Sequence, residues 1–421
     1  MHDTWRMSRI DTAQAQLTFK SILRDKDNWK RYQRVYADQV SAHQIAEVEK
    51  MLGCGDQKNG FSTYICLHCG ETERVCFSCK SRVCASCGKV HADEWSNKLI
   101  GRLFNVTHRH ITFTVPSELW PILEIHSEWR KELFGAANET LRQIIKTEPG
   151  IVMVLHPYGK DLKANFHLHV LVTEGGINED GDWEEQNFLS YKILRNTWQY
   201  KILTRLRAVM PTNRETSQFI DRMFRQYSNG FYVHAKPRVT RGSGIERYIG
   251  RYIRHPAISN TRIIGYDGER VTFYYKERDK TRKEVTLPVL EFIHGVVRHI
   301  PPKQFKMVRY FGLYAPRKAS KVRILMQKIG QMLGRAVRKL HWRDRIRRDF
   351  HRDPLKCPRC GSPDMELYSL TVPWRGRMMT IGGMEWLYER GSLIEMQDEL
   401  DTGNHMSDMP SVQVRQLALC L

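Results

Sequence analysis

The stretch Asn165-Phe-His-Leu-His-Val-Leu-Val-Thr173 decides how the rest of the chain is read. Successive side chains of a strand alternate faces, so Phe166, Leu168 and Val170 point into a core while His167 and His169 project together from the opposite face. Two imidazoles on one face are able to chelate a divalent ion; the plain alternative is a pair of half-exposed strand histidines. The neighbourhood favours the ion. His156 lies eleven residues upstream of His167, at the end of the apolar run Ile151-Val-Met-Val-Leu155, where an adjacent strand would bring a third imidazole to the same point. Three protein ligands leave positions open for phosphate oxygens and water, as a Lewis-acid metal requires. The competing reading of His156 is an ordinary loop histidine, and Glu174 is a weaker candidate ligand.

Working outward, Arg109-His-Ile-Thr-Phe-Thr-Val-Pro116 predicts a strand over 110–115, stopped by proline. Helix is expected over 118–146, 188–209, 215–226 and 243–254, a short strand over 230–235, and a hairpin from 271–276 and 284–287. This mixed order fits an antiparallel-rich α+β fold better than a doubly wound sheet. The expected division is a helical lead-in (1–50), a zinc-binding domain (51–95), a catalytic domain (100–316), a basic helical DNA-contact region (317–352) and a tail with a partial zinc-ribbon motif (353–421). The last fifty residues are weakly patterned, so partial disorder is expected there.

A second constellation is Glu246-Arg-Tyr-Ile-Gly-Arg-Tyr-Ile-Arg-His-Pro256. On a helix, Tyr248 and Tyr252 stand four apart and share a face, so both phenols could be offered to one cleft. Arg247, Arg251 and Arg254 beside them suit phosphate contacts. Two packing aromatics would explain a lone tyrosine pair, but not so basic a helix.

The chain has 421 residues, with 67 Lys and Arg against 46 Asp and Glu, a formal charge of +21. An excess of that size implies a polyanionic partner, most commonly nucleic acid. No apolar stretch approaches the roughly 18–20 residues of a membrane span, and MHDTWRMSRIDTAQAQ lacks the apolar core of a signal peptide. A soluble, cytoplasmic protein is the expectation.

Seven of the ten cysteines fall between Cys54 and Cys87, many in C-x-x-C pairs, which points to zinc rather than disulfides. The candidate ligands are Cys54, Cys66, Cys69, Cys76, Cys79, Cys84, Cys87 and His91. Eight suit two Zn²⁺ ions, but Cys76 and Cys79 could include a spare, as could His68 and His91, so one ion stays open. Lys80, Arg82 and Lys89 among them suit phosphate contacts. Cys357-Pro-Arg-Cys-Gly361 is half of a zinc ribbon with no second C-x-x-C after it; its other half is either lost or supplied by histidines such as His351 and His405. The basic run Arg335 to Arg352 suits a DNA-backbone contact.

The His-x-His strand with Gly175-Gly176 after it, Tyr248-Ile-Gly-Arg-Tyr252 with Pro256 and Arg262, and the cysteine segment in front together resemble the two-tyrosine HUH transposases of the IS91 family. Val154-Leu-His-Pro-Tyr-Gly159 and Arg309-Tyr-Phe-Gly-Leu-Tyr314 also resemble segments of that family. The resemblance spans about residues 50–320. It implies an HUH fold, an antiparallel sheet bearing the histidines with the tyrosine helix beside it. It further implies Mg²⁺ or Mn²⁺ at the histidines, a tyrosine nucleophile, and cleavage and strand transfer of single-stranded DNA at transposon ends and target. Histidines before tyrosines is the order of replication initiators and these transposases, whereas conjugative relaxases place the tyrosine first. The alternatives are a rolling-circle replication initiator and a non-catalytic zinc-dependent DNA-binding protein. A three-carboxylate transposase would leave the histidines and tyrosines without a purpose. Oligomeric state is left open, a monomer included.

Overall fold

A computed structural model describes residues 17–81, 83–186, 190–235, 257–277, 279–318 and 353–383, together with Val322, Arg343, Asp344 and Arg347. In chain order the elements are α1 (Phe19–Arg24), α2 (Asn28–Val35), α3 (Ala42–Leu52), β1 (Phe61–Cys66), β2 (Thr72–Cys76), α4 (Ala85–Ile100), β3 (His108–Thr114), α5 (Trp120–Ile125) and α6 (Arg130–Ile144). Then come β4 (Gly150–Tyr158), β5 (Ala164–Thr173), β6 (Gly175–Ile177), β7 (Trp183–Glu185), α7 (Tyr191–Val209), α8 (Arg214–Gln226) and β8 (Val233–Ala235). The last are β9 (Ile263–Tyr266), β10 (Arg270–Lys276), β11 (Arg282–Pro288), α9 (Val289–Val297), β12 (Val308–Gly312), β13 (Met365–Trp374) and β14 (Arg377–Gly382). The expected helix over 243–254 and most of the basic region 317–352 lie outside the described residues.

The chain falls into two units that cut across the sequence blocks. Residues 1–48 group with 91–337, and 49–90 group with 338–421. In the larger unit a five-stranded antiparallel sheet runs in the order β12-β4-β5-β3-β8. Alternation sorts its side chains as the sequence predicts. Ile111, Phe113, Met153, Leu155, Phe166, Leu168 and Val170 face the main core, where α6, α7 and α8 contribute Phe134, Leu141, Trp198, Ile202 and Ile220. The Trp198 indole N–H donates to the Thr114 carbonyl at 2.8 Å and ties α7 to the end of β3. On the opposite face, Val152 and Leu171 are covered by Ala92, Trp95 and Leu99 of α4. Among the described residues, that cover lies over the Val152 and Leu171 end of the face.

The expected continuous helix over 118–146 is broken at His126, between α5 and α6. The buried Arg130 explains the break, since its guanidinium donates to the carbonyls of Leu123 at 2.7 Å and Glu124 at 3.3 Å. Those acceptors would otherwise be unmet at the end of α5. A second sheet, β11-β10-β9, is the expected hairpin plus one strand. The N-terminal helices pack with α9 beside it: Phe19 meets Phe292 edge-on at 6.0 Å, and the Asn28 amide donates to the Tyr266 hydroxyl at 2.8 Å.

The smaller unit is a four-stranded sheet, β14-β13-β1-β2. Its core holds Tyr64, Cys66, Cys357 and Met365. The tail from 353 supplies two strands, of which β14 falls within the weakly patterned last fifty residues, and residues 384–421 lie outside the described ones. β13 pairs with β1 from Phe61↔Thr371 to Cys66↔Met365. The alternation Ser369-Leu-Thr-Val372 fits a strand, but its partner lies about three hundred residues away in the sequence.

Candidate metal centre

β4 and β5 pair so that His156 stands directly across from His167, and β3 places Thr112 across from His169. Pro157 cannot donate to the ladder, and regular pairing shifts between His156 and Tyr158. His156 therefore sits at the last regular rung before an irregularity, beyond which pairing resumes at Tyr158 with Ala164. Nitrogens of His156, His167 and His169 all lie within 4.8 Å of one another. The rings meet edge to face, with centroids 4.6–5.3 Å apart. Stacked rings could not aim three lone pairs at one point, whereas edge-to-face rings can. His156 and His167 are half-buried and His169 is buried.

Hydrogen bonds fix which nitrogen His167 and His169 offer. His167 Nδ1 stands 2.6 Å from the Asn165 carbonyl, and a carbonyl only accepts, so Nδ1 carries the proton and Nε2 keeps its lone pair. His169 Nδ1 lies 3.0 Å from Nε2 of His110 on β3, with the Thr112 hydroxyl 3.4 Å away. With Nε2 of His169 turned to an ion, Nδ1–H donates to His110. His110 is a neighbour of the candidate site that sequence reasoning missed. The signal was present, because His110, Thr112 and Thr114 alternate with buried Ile111, Phe113 and Val115.

Glu174 is not part of this cluster. It is buried and ion-paired with Arg109 at the other end of β5. Tyr314, from a segment singled out by resemblance, is structural: its hydroxyl lies 2.7 Å from His108 Nε2 and accepts from the Phe104 N–H at 3.1 Å. Burial pushes that phenol well above its usual range and holds His108 down at about 4. Tyr248, Tyr252, Arg247, Arg251, Arg254 and Arg82 lie outside the described residues, and Lys80 is exposed.

The cysteines of the smaller unit sort differently from the expected set. Cys54, Cys79, Cys84 and Cys87 converge, with Sγ–Sγ separations of 3.6–3.7 Å. Cys66 and Cys69 stand with Cys357 and Cys360 instead of with their sequence neighbours. Cys76 belongs to neither group, being a strand residue opposite Phe61. His91 belongs to neither group as well; its Nδ1 faces Glu94 at 3.7 Å, one turn along the helix. Among the described residues no helix is long and apolar enough to cross a membrane.

These elements coincide with known families. Residues 150–321, which carry β4, β5 and the tyrosine segment, match the family described as "Putative transposase". Residues 25–115 match the transposase zinc-binding domain. The chain is 26% identical over 372 residues to the "Putative transposase y4qJ" of Sinorhizobium fredii, covering 80% of this chain and 93% of that protein. Among solved structures, the N-terminal origin-recognition/nickase domain of human bocavirus non-structural protein 1 aligns with 54% of this chain and 97% of its own, at 11% identity and a TM-score of 0.24. That superposition is too loose for residues to be compared. The transposase of insertion sequence element IS801, from Pseudomonas savastanoi pv. phaseolicola, is 30% identical over 341 residues, which span 76% of this chain and 82% of that protein. With such a relative along most of its length and both family segments in order, the chain belongs to the IS91 family of transposases.

Proposed function

We propose that this transposase cuts and rejoins single-stranded DNA at the ends of its own element and at the target, with His156, His167 and His169 holding Mg²⁺ or Mn²⁺ and Tyr248 or Tyr252 as nucleophile. The observation that carries it is the convergence of three imidazoles on adjacent strands of the sheet, two with Nδ1 already engaged. When bound, the ion supplies Lewis-acid stabilisation of charge on the scissile phosphate. Between the two ions, Mn²⁺ suits an all-imidazole donor set better, because Mg²⁺ prefers oxygen ligands.

The tyrosine oxygen, having given up its proton, attacks phosphorus in line, and the bond from phosphorus to the 3′ oxygen breaks. That oxygen takes a proton and leaves as a 3′-OH, while the chain holds a 5′-phosphotyrosine. A 3′-OH from a second strand reverses the step, expelling the phenol and restoring a phosphodiester. No water or nucleotide is consumed. Two tyrosines allow successive links at donor and target. Arg247, Arg251, Arg254, Lys80 and Arg82 supply backbone contacts whose strength falls with salt. The site of action is the bacterial nucleoid.

The test is incubation of purified protein with labelled oligonucleotides from the element's ends, with Mn²⁺, Mg²⁺ or EDTA, followed by denaturing electrophoresis. A metal-dependent covalent adduct that disappears in the Tyr248→Phe, Tyr252→Phe double variant is the expected result. Binding without an adduct in any metal would leave a non-catalytic DNA-binding protein. Cleavage that never transfers a strand to a second DNA would favour a replication initiator.

A further inference from the structure

Cys66-Leu-His-Cys-Gly70 and Cys357-Pro-Arg-Cys-Gly361 share the spacing C-x-x-C-G at opposite ends of the chain. Their backbones repeat one another. The Gly70 N–H donates to the Cys66 carbonyl at 2.9 Å, and the Gly361 N–H to the Cys357 carbonyl at 3.0 Å. The Cys66 N–H donates to Glu71 and the Cys357 N–H to Ser362, each at 2.8 Å. Gly70 and Gly361 have φ of 72° and 75°, a conformation that a Cβ would strain. Each segment is therefore a tight knuckle that turns two thiols the same way.

Pairing of β1 with β13 brings the knuckles side by side, since Cys66 is in register with Met365 and the Leu67 N–H donates to the Asp364 carbonyl at 3.1 Å. Cys66 Sγ then lies 3.6 Å from Cys360 Sγ, and Cys69 Sγ lies 3.5 Å from Cys357 Sγ. A disulfide would need about 2.05 Å. Four sulfurs each about 2.3 Å from one tetrahedral ion stand about 3.8 Å apart. Cys66 and Cys357 are buried and Cys360 is exposed, so the cluster is anchored in the core of the small unit with one edge at the surface.

We infer that Cys66, Cys69, Cys357 and Cys360 form a structural Zn²⁺ site split between the two ends of the chain, separate from the site of Cys54, Cys79, Cys84 and Cys87. The matched zinc-binding domain ends at residue 115 and contains only half of these ligands. The ion replaces four thiol protons and cross-links residues 288 and 294 positions apart in the sequence. The site can be filled only after the chain has been synthesised past Cys360. Any truncation before Asp353 leaves a half-site.

The experiment measures zinc per chain by elemental analysis in the full-length protein. About two ions are expected in the wild type and about one in Cys357→Ser/Cys360→Ser, in Cys66→Ser/Cys69→Ser and in the quadruple variant, because both pairs serve one ion. Cys76→Ser and His91→Ala should keep both ions. Two ions retained after loss of Cys357 and Cys360 would overturn the inference, and so would a quadruple variant that loses more than either pair. Should the variants fail to fold, alkylation of the wild-type protein followed by mass spectrometry decides. In the zinc-loaded chain, Cys66, Cys69, Cys357 and Cys360 should be protected together and become reactive together on chelation. Alkylation of Cys357 and Cys360 at the rate of Cys76 before chelation would sink the site.

Discussion

His110 and His169 face each other from adjacent strands, with Nε2 of the first 3.0 Å from Nδ1 of the second, and both rings are buried. The contact leaves His169 only Nε2 to offer the cleft. With an ion held at His169 Nε2, His110 would act as a positioning residue for that ligand. Asn165 plays the same part for His167 through its carbonyl.

Replacing His110 with Ala should weaken Mn²⁺ binding about 10- to 100-fold, the usual cost of losing a ligand's supporting partner. His110→Gln, whose amide oxygen can accept in place of Nε2, should recover part of it. The measurement is the Mn²⁺ concentration for half-maximal adduct formation, set beside oligonucleotide binding in EDTA. A merely structural role for His110 would lower both together, whereas positioning moves the first and spares the second.

Loss of a ligand should act on cleavage more than on DNA binding. His167→Ala and His156→Ala should each slow adduct formation on the order of a hundred- to a thousandfold, the range for removing one group that stabilises developing charge. Single-turnover gels at saturating DNA check this. An unchanged rate in His156→Ala would reduce the centre to the His-x-His pair.

Much of this centre was legible because it is local. Period-two alternation along 165–173 separates His167 and His169 from Phe166 and Leu168, and the apolar run before His156 marks the neighbouring strand. The partnership of Cys66 and Cys69 with Cys357 and Cys360 was not legible, because a shared C-x-x-C-G spacing does not say which pairs meet, and the register between β1 and β13 is a tertiary fact. Reading the cysteine segment as self-sufficient kept Cys76 and His91 among the candidate ligands, and the strand and helix that carry them leave both outside the two cysteine groups. The break at His126 escaped for a similar reason, since a buried arginine four residues later caps a helix that propensity alone would continue.

Burial of His108 makes acid stability a readout of the same sheet. Its folded value of about 4 lies below the ordinary 6.5, so the native state stays neutral where the unfolded chain takes up a proton. The contribution is fully present above about 6.5 and is lost as pH falls towards 4, amounting to about 3 kcal/mol in all. His108→Gln should flatten the fall in urea-unfolding free energy between those limits relative to wild type. Zinc release affects both proteins alike and cancels in the difference. Parallel profiles would show that His108 is protonated within the fold.

Tyr314 links that histidine to the segment before β3, because one hydroxyl contacts His108 Nε2 and accepts from the Phe104 N–H while its ring stacks on Phe104 with centroids 5.0 Å apart. Tyr314→Phe keeps the stack and removes only the oxygen, leaving a buried N–H and a buried imidazole nitrogen short of a partner. A loss of about 1–3 kcal/mol is expected, the cost of an unmet buried polar group rather than of a cavity. Tyr314→Ala should cost more, because it also opens the space in which the ring lies against Gly150. Chemical unfolding of the two variants separates these contributions. If Tyr314→Phe proved as stable as wild type, the hydroxyl would be dispensable to the fold.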